Sequence, residues 1–331
     1  MLNKSFRRTR RIILVLLILA ATFSVFYFAV SAVYLQDDIK THKNILFLCL
    51  DDTGYNTDAM AIIHLPKEMS DVTVLQIPRD TFADTGEVNC KINRLYYRFF
   101  EKTKNEKDAL NELSLFLSHH LGIEINEALL LTLDEVALLI DAIGGVDIEL
   151  PSDLFYSDPA QNLLIDLKKG KQHLSGKDAV RFARYRSGYK NGDLGRLDAQ
   201  KLLSLSVIEE IKNGLSASSM LKLAEILKKD AVTTLSVRDM LSLGLSAKRK
   251  GSDLHLKIFT APGEAVRYNG NTGVWYFSLN KKAMQTASRR YFESEGHPFD
   301  PENIFLGKTP SMQNVYFDTK IELKEFSAFY P

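Results

Sequence analysis

Only two cysteines, Cys49 and Cys90, occur in the chain, so no disulfide scaffold holds it together and its stability must come from a buried core. An oxidising exterior would permit one bridge. Cys49 lies within an apolar strand-like run, however, which favours two free thiols. Beyond an N-terminal apolar stretch there is no internal repeat and no low-complexity tract. Nor does either charge dominate, with 42 basic residues against 41 acidic ones. Five of the bases, Lys4, Arg7, Arg8, Arg10 and Arg11, crowd into the first eleven positions. The remainder carries 37 bases against the same 41 acids, a formal charge of −4. That balance disfavours a nucleic acid as partner, since such domains present a basic face. Apolar residues make up 45% and charged residues 25%, which is a globular composition with enough apolar mass for a large core.

Charge is absent altogether from Ile12 to Leu35. A bilayer core of about 30 Å needs roughly 20 apolar residues in a helix, and this run satisfies that requirement unaided. The basic cluster before it belongs in the cytoplasm, so the residues from Gln36 onward are expected outside the cell. A cleaved signal peptide is the competing reading, with Ala29-Val30-Ser31 as a weak cleavage site. The run exceeds the usual apolar length of a signal peptide, which favours an anchor. The expected organisation is a cytoplasmic tail over 1–11, a transmembrane helix over 12–35, a linker over 36–43, an extracytoplasmic catalytic domain over 44–295 and a C-terminal extension over 296–331. The implied place is a bacterial plasma membrane, crossed once.

Asn44 to Leu50 and Val72 to Ile77 are nearly continuous apolar runs and resemble buried parallel strands. Ala59 to Leu65 is a candidate third strand. Leucines spaced helically follow Lys107 and end near Gly122; an apolar segment at Leu129 to Leu133 precedes a helix over Asp134 to Ile143. Gly144-Gly145 stops that helix before a strand at Val146 to Leu150. Ser175 with Asp178 reads as the cap of a helix reaching Tyr185. Further helices are expected over Leu197–Lys212, Ser216–Lys229, Val237–Lys250 and Lys281–Glu293. Strands are expected at Leu254–Phe259, Val274–Leu279 and, as a last edge strand, Val315–Leu323. This alternation predicts an α/β fold, a central and mostly parallel sheet with helices on both faces.

Four charged clusters stand out. Asp51-Asp52, followed by Thr57-Asp58, leaves the first strand where ligand crevices open in α/β sheets, and carboxylates gathered there suit a hard divalent cation. Alone they are equally ordinary turn formers. Ile77-Pro78-Arg79-Asp80-Thr81 places an arginine beyond another strand. Lys91-Ile92-Asn93 means little in isolation. Arg181, Arg184, Arg186 and Arg196, with Gln200, offer planar forks for phosphate oxygens if they converge, and a solvated basic helix face if they do not. The remaining histidines, His119, His120 and His173 among them, lack metal-ligand spacing and read as structural.

Taken in order, LCLDDTGYNTDAM, QIPRDT, CKINRLYY, LIDAIGGVDIELP, GKQHLSGKDAVRFARYR, GDLGRLDAQK and TAPGEAVRYNG resemble the LytR-CpsA-Psr family of cell-wall glycopolymer phosphotransferases. The resemblance covers about Asn44 to Ser288. It implies an enzyme that moves a glycopolymer, teichoic acid, capsule or similar, from a polyprenyl-pyrophosphate carrier to a peptidoglycan sugar hydroxyl, with membrane lipid around its anchor. It further implies that Asp51 and Asp58 hold Mg²⁺ or Mn²⁺. Arg79, Arg184, Arg186 and Arg196 fall on pyrophosphate-contacting positions and Gln200 on a polar contact; Asp51, Arg79, Arg184 and Arg186 would serve catalysis. Two places where many members carry arginine hold Thr53 and Asn56. That departure keeps two alternatives open: a catalytically weak wall-binding or regulatory homologue, and a lipid-pyrophosphate hydrolase. A slot for the lipid tail is expected between sheet and helices, with Leu203, Leu205, Val207 and Ile208 as candidates that serve equally as core.

Overall fold

The first strand, β1 (Lys43–Leu50), is apolar from Ile45 onward because both its faces are covered. Leu46 and Leu48 point into one core while Ile45 and Cys49 are buried on the opposite side. Our computed structural model describes residues 42–159, 163–189, 192–267 and 273–292. Strand β1 is followed by β2 (Thr57–Leu65), β3 (Asp71–Gln76), a small hairpin of β4 (Phe82–Asp84) and β5 (Asn89–Lys91), and helices α1 (Leu95–Thr103) and α2 (Glu106–Leu121). Next come β6 (Glu127–Leu131), α3 (Leu133–Ile143), β7 (Val146–Leu150), β8 (Leu154–Asp158), β9 (Leu163–Leu167) and β10 (Gly170–Leu174). Helices α4 (Gly176–Arg184), α5 (Asp193–Gly214) and α6 (Ala217–Lys229) precede β11 (Val232–Thr233) and α7 (Val237–Lys250). The described chain closes with β12 (His255–Thr260), β13 (Gly263–Arg267), β14 (Trp275–Leu279) and α8 (Lys281–Tyr291).

The central sheet has six strands in the order β11-β6-β1-β2-β3-β12. It is mixed, which corrects the expectation of a mostly parallel sheet. Strand β1 is parallel to β6, and β3 to β12, but β1–β2, β2–β3 and β6–β11 are antiparallel. The reason lies in the connections. Residues 51–56 and 66–70 are too short for the crossover a parallel pair requires, so β1, β2 and β3 form a meander. An apolar run reports burial on both faces and says nothing about a neighbour's direction.

Helices do cover both faces. On one, Leu46, Leu48, Ile62, Leu75 and Leu130 join Leu110, Leu113 and Leu117 of α2 in a single core. On the other, Leu129 faces α3, α5, α6 and α7 across an apolar cavity. A second core unites α3, β7, β9, α4 and α5 around Phe182. The hairpin pairs β7–β10 and β8–β9, and strand β13, were not foreseen from the sequence. Helix α5 begins at Asp193, a turn earlier than its apolar pattern indicated, and so takes Arg196 into its first turn. Cys49 and Cys90 are both buried free thiols. Among the described residues no helix is long and apolar enough to cross a membrane. The expected tail, the span over 12–35, most of the linker and the edge strand at Val315–Leu323 lie outside the described residues.

Candidate functional site

Three backbone features bring the charged clusters together at one edge of the sheet. The first is the turn 51–56, closed by Asp51 N–H donating to the Asn56 carbonyl at 2.9 Å. The second is a β-bulge. Cys49 pairs with Ala59 and Leu50 with Thr57, so Asp58 is the extra residue on β2, and a bulge of this kind re-aims the side chain it carries. The third is the exit of β3, where Thr81 N–H and Thr81 Oγ1 both donate to the Pro78 carbonyl, at 2.9 and 2.6 Å. That tight turn holds Arg79 beside Asp58. The start of α5 completes the edge, tied to β3 by Gln76 Nε2 donating to the Leu197 carbonyl at 3.2 Å. Gly195 is required there, because a Cβ would lie 2.4 Å from that of Tyr189.

Asp58 Oδ1 lies 3.0 Å from Arg79 Nη1 and 3.5 Å from Arg196 Nη1. Asp193 Oδ1 closes the ring, 3.6 Å from Arg79 Nε and 3.0 Å from Arg196 Nη2. These last contacts are Coulombic and off the hydrogen-bond axis: Arg79 Nε, Arg196 Nε and Nη2, and Asp193 Oδ1 have no hydrogen-bond partner although they are buried. The Arg196 side chain is only 5% exposed. Burial pushes its pKa down, Asp193 and Asp58 oppose that, and Arg79 and Arg186 add to it. Two guanidiniums thus retain buried N–H groups with nothing to donate to, which is the chemistry of a site built for an anion.

Asp51 is differently placed. Its Oδ1 accepts from Thr53 N–H at 3.1 Å, Thr53 Oγ1 at 2.6 Å and Asn56 N–H at 3.4 Å, and its Oδ2 from Asn56 Nδ2 at 2.9 Å. Desolvation pushes its pKa up, but these hydrogen bonds outweigh it and hold the carboxyl below its ordinary value. Arg184, at the C-terminal end of α4, reaches Asp52 with Nη2 2.6 Å from Oδ2. Arg186 is exposed just beyond that helix. Gln200 Nε2 donates to the Ala183 carbonyl at 3.4 Å, fastening α5 to the end of α4. Arg181 turns away to pair with Asp178 at 2.8 Å. Asp193, three residues before Arg196 in GDLGRLDAQK, is a site residue the sequence did not single out, and neither did it show Asp52 as the partner of Arg184.

Beneath the cluster the Cys49 thiol is pushed up to about 12, by burial first and then by the charges of Asp58 and Glu135. It is inert at neutral pH. Among the described residues no three acid, histidine or cysteine side chains converge into a complete metal cage. The donor set nonetheless fits a cation completed by phosphate and water. Asp58 has its second oxygen unengaged by the arginines, and Asp51 has nearly spent its acceptor capacity of about four positions.

Helix α5 leads from the arginines to the apolar cavity, which has a volume of about 240 Å³. Its lining includes Leu129, Ile140, Val207, Ile211, Leu223 and Met240. Of the four slot candidates, Val207 lines it, whereas Leu203 belongs to the core around Phe182.

The described residues thus form an α/β domain on a mixed sheet, with acids and arginines gathered where the strands end and an apolar cavity farther along α5. Residues 29–292 match the LytR_cpsA_psr family, and the chain belongs to that family. TagV of Bacillus subtilis strain 168, named a polyisoprenyl-teichoic acid–peptidoglycan teichoic acid transferase, is 29% identical over 238 residues, covering 66% of this chain and 59% of TagV. The cell wall biosynthesis protein LcpA of Corynebacterium glutamicum is 29% identical over 207 residues, 57% of this chain and 39% of LcpA. The chain therefore spans less than two thirds of the length of either. TagU of Bacillus anthracis, which bears the same transferase name as TagV, is 26% identical over 259 residues, 75% of this chain and 77% of TagU. In fold, the crystal structure of Bacillus subtilis TagV superposes with a TM-score of 0.60 at 24% identity, covering 79% of this chain and 99% of that one. TagT bound to LIIa-WTA superposes with a TM-score of 0.60 at 19% identity, covering 78% and 92%.

Proposed function

We propose that this chain is a membrane-anchored phosphotransferase that moves a glycopolymer from a polyprenyl-pyrophosphate carrier to a sugar hydroxyl of peptidoglycan, on the outer side of a bacterial plasma membrane. The observation that carries this reading is the pairing of Arg79 and Arg196, with buried N–H groups free to donate, and an apolar cavity farther along the same helix. Arg196 and Val207 are eleven residues apart on α5, about 16 Å at 1.5 Å per residue. A ligand with a doubly charged head and an isoprenoid tail matches that layout. The names of TagV and TagU support the same donor and acceptor.

In this mechanism Arg79, Arg184, Arg186 and Arg196 bind the pyrophosphate and take up charge as it redistributes, and Gln200 keeps α4 and α5 in register. The acceptor hydroxyl's oxygen bonds to the phosphorus that bears the glycopolymer, and its proton passes to the departing phosphate. The bridging P–O bond breaks, and polyprenyl phosphate leaves with the bond's electron pair. Transfer of this kind depends on positioning and charge stabilisation more than on a strong base. Asp51, held ionised and rigid by Thr53 and Asn56, fixes the turn at the reacting edge. A magnesium or manganese ion, held chiefly by Asp58 because Asp51 has little acceptor capacity left, would supply neutralisation of the phosphate oxygens when bound.

The test is transfer of a polyprenyl-pyrophosphate-linked glycan to peptidoglycan fragments by the purified full chain. Release of free glycan phosphate at the same rate with and without acceptor would make it a hydrolase. No turnover of any such donor would defeat the reading.

A further inference from the structure

Across the sheet from the apolar cavity, the turn 51–56 carries a side chain that the phosphate chemistry does not use. Tyr55 is 52% exposed, and its position is fixed from beneath. Its N–H donates to Thr53 Oγ1 at 3.2 Å, and that hydroxyl donates in turn to Asp51 Oδ1 at 2.6 Å. Its ring meets Tyr97 edge to face, with centroids 4.6 Å apart and planes at 84°.

Tyr97 belongs to the first turn of α1, which is tied to the other side of the site. Asn93 N–H donates to the Arg79 carbonyl at 3.2 Å, and Thr57 Oγ1 to the Asn93 carbonyl at 3.5 Å. Glu101, one turn further along α1 on the same side of the helix, is exposed and pairs with Lys104 at 3.4 Å. An aromatic pair partly open to water, tied to Asp51 and to the Arg79 backbone and edged by a carboxylate, offers a sugar ring an apolar face and a hydrogen-bond acceptor.

The topology decides which sugar. Leu95 and Tyr96 of α1 are buried in the core with Leu46 and Leu48, whereas the cavity lies over Leu129, on the opposite face of the sheet from its neighbours Ala128 and Leu130. If the lipid lies in the cavity, the leaving polyprenyl phosphate departs toward that face. In-line displacement brings the attacking hydroxyl from the other side, which is the side of Tyr55 and Tyr97. We propose that Tyr55 and Tyr97, with Glu101, form the subsite that seats the acceptor sugar of the peptidoglycan strand. This rests on the transfer reading above.

The probe is a peptide-free tetrasaccharide of alternating N-acetylglucosamine and N-acetylmuramic acid, titrated by calorimetry into the full chain in detergent without any donor. Tyr55→Ala and Tyr97→Ala should each weaken its binding roughly five- to tenfold, with melting temperatures unchanged, and Tyr55→Phe should retain it. In the transfer assay the acceptor KM should rise by the same factor in the alanine variants, with kcat and donor KM unmoved. Equal tetrasaccharide binding by all forms would overturn the proposal, as would a rise confined to donor KM. A wild-type chain that transfers nothing yet binds the tetrasaccharide through Tyr55 would overturn the transfer reading while leaving the sugar subsite standing.

Discussion

Removing the Arg184 guanidinium should separate catalysis from stability more cleanly than any other change at the site. It pairs with Asp52 at 2.6 Å, the Arg184 side chain being 16% exposed and that of Asp52 51%. A pair whose acid is half open to water contributes about 0–1 kcal/mol to folding. A preorganised donor to charge that develops in a transition state contributes about 2.7–4 kcal/mol, a factor of ~10²–10³ in kcat. Arg184→Ala should therefore lose transfer by that factor while its melting temperature falls by no more than about 4 °C. Arg184→Lys should lie closer to alanine than to wild type, because it keeps the charge and loses the bidentate fork. The partner supplies the control. Asp52→Asn removes the competing carboxylate, so it should hold or lower the donor KM at unchanged stability. The measurements are steady-state transfer to peptidoglycan fragments and thermal melts of the three variants. Normal transfer by Arg184→Ala would reduce Arg184 to a surface salt bridge, and the anion-site assignment would fall with it.

The cavity should be the seat of the lipid tail. Saturating polyprenyl phosphate at about a hundred times its Kd should raise the melting temperature by ~5–10 °C, and Val207→Arg should abolish that rise while leaving the unliganded protein folded. Chelation should raise the donor KM of the native chain, and the double substitution Thr53→Arg with Asn56→Arg should blunt that effect; chelator-insensitive transfer would remove the metal from the mechanism. Far from the site, Asp239 caps α7 through Ser236 and pairs with Lys43 at 2.6 Å. Desolvation raises its pKa, but the hydrogen bonds from Lys43 and Ser236 outweigh it and keep the carboxyl low. Its stabilisation is therefore present above the ordinary carboxylate pKa and is lost as pH falls through the lower folded value. Asp239→Asn should cost about 1 kcal/mol at pH 7, and the difference in melting temperature from wild type should vanish in acid.

The elements most legible in the sequence were those whose signal is local. The helix at Gly176–Arg184 follows from Ser175 as its cap, and the one at Leu133–Ile143 from its apolar spacing and the Gly144-Gly145 stop. Long-range facts were not legible. Nothing in TDAMAIIHL shows that Asp58 sits on a bulge, because a bulge is a property of a pairing and not of one strand. Asp193 was hidden for a similar reason. Its role depends on Arg79, which is remote in sequence and brought near by the β3 exit. The hairpins between Pro151 and Ser175 were missed because their strands expose alternate side chains, Phe155 and Leu164 among them. Only a weak apolar pattern remains to be read there.

The turn at Thr53 and Asn56 links these observations. Where resemblance to the family suggested arginines, this chain places two neutral donors, and both are spent on Asp51. Asp52, Asp58 and Asp193 pair with Arg184, Arg79 and Arg196, three acids against three arginines, so these pairs leave little positive charge for a pyrophosphate. Binding one must either displace Asp52 from Arg184 or bring in a cation, and Asp58, with one oxygen outside the arginine pairs, is the acid best able to receive it. With Thr53 and Asn56 bound to Asp51 and Asp52 paired to Arg184, the turn presents Tyr55 to solvent, which is the face a sugar would meet.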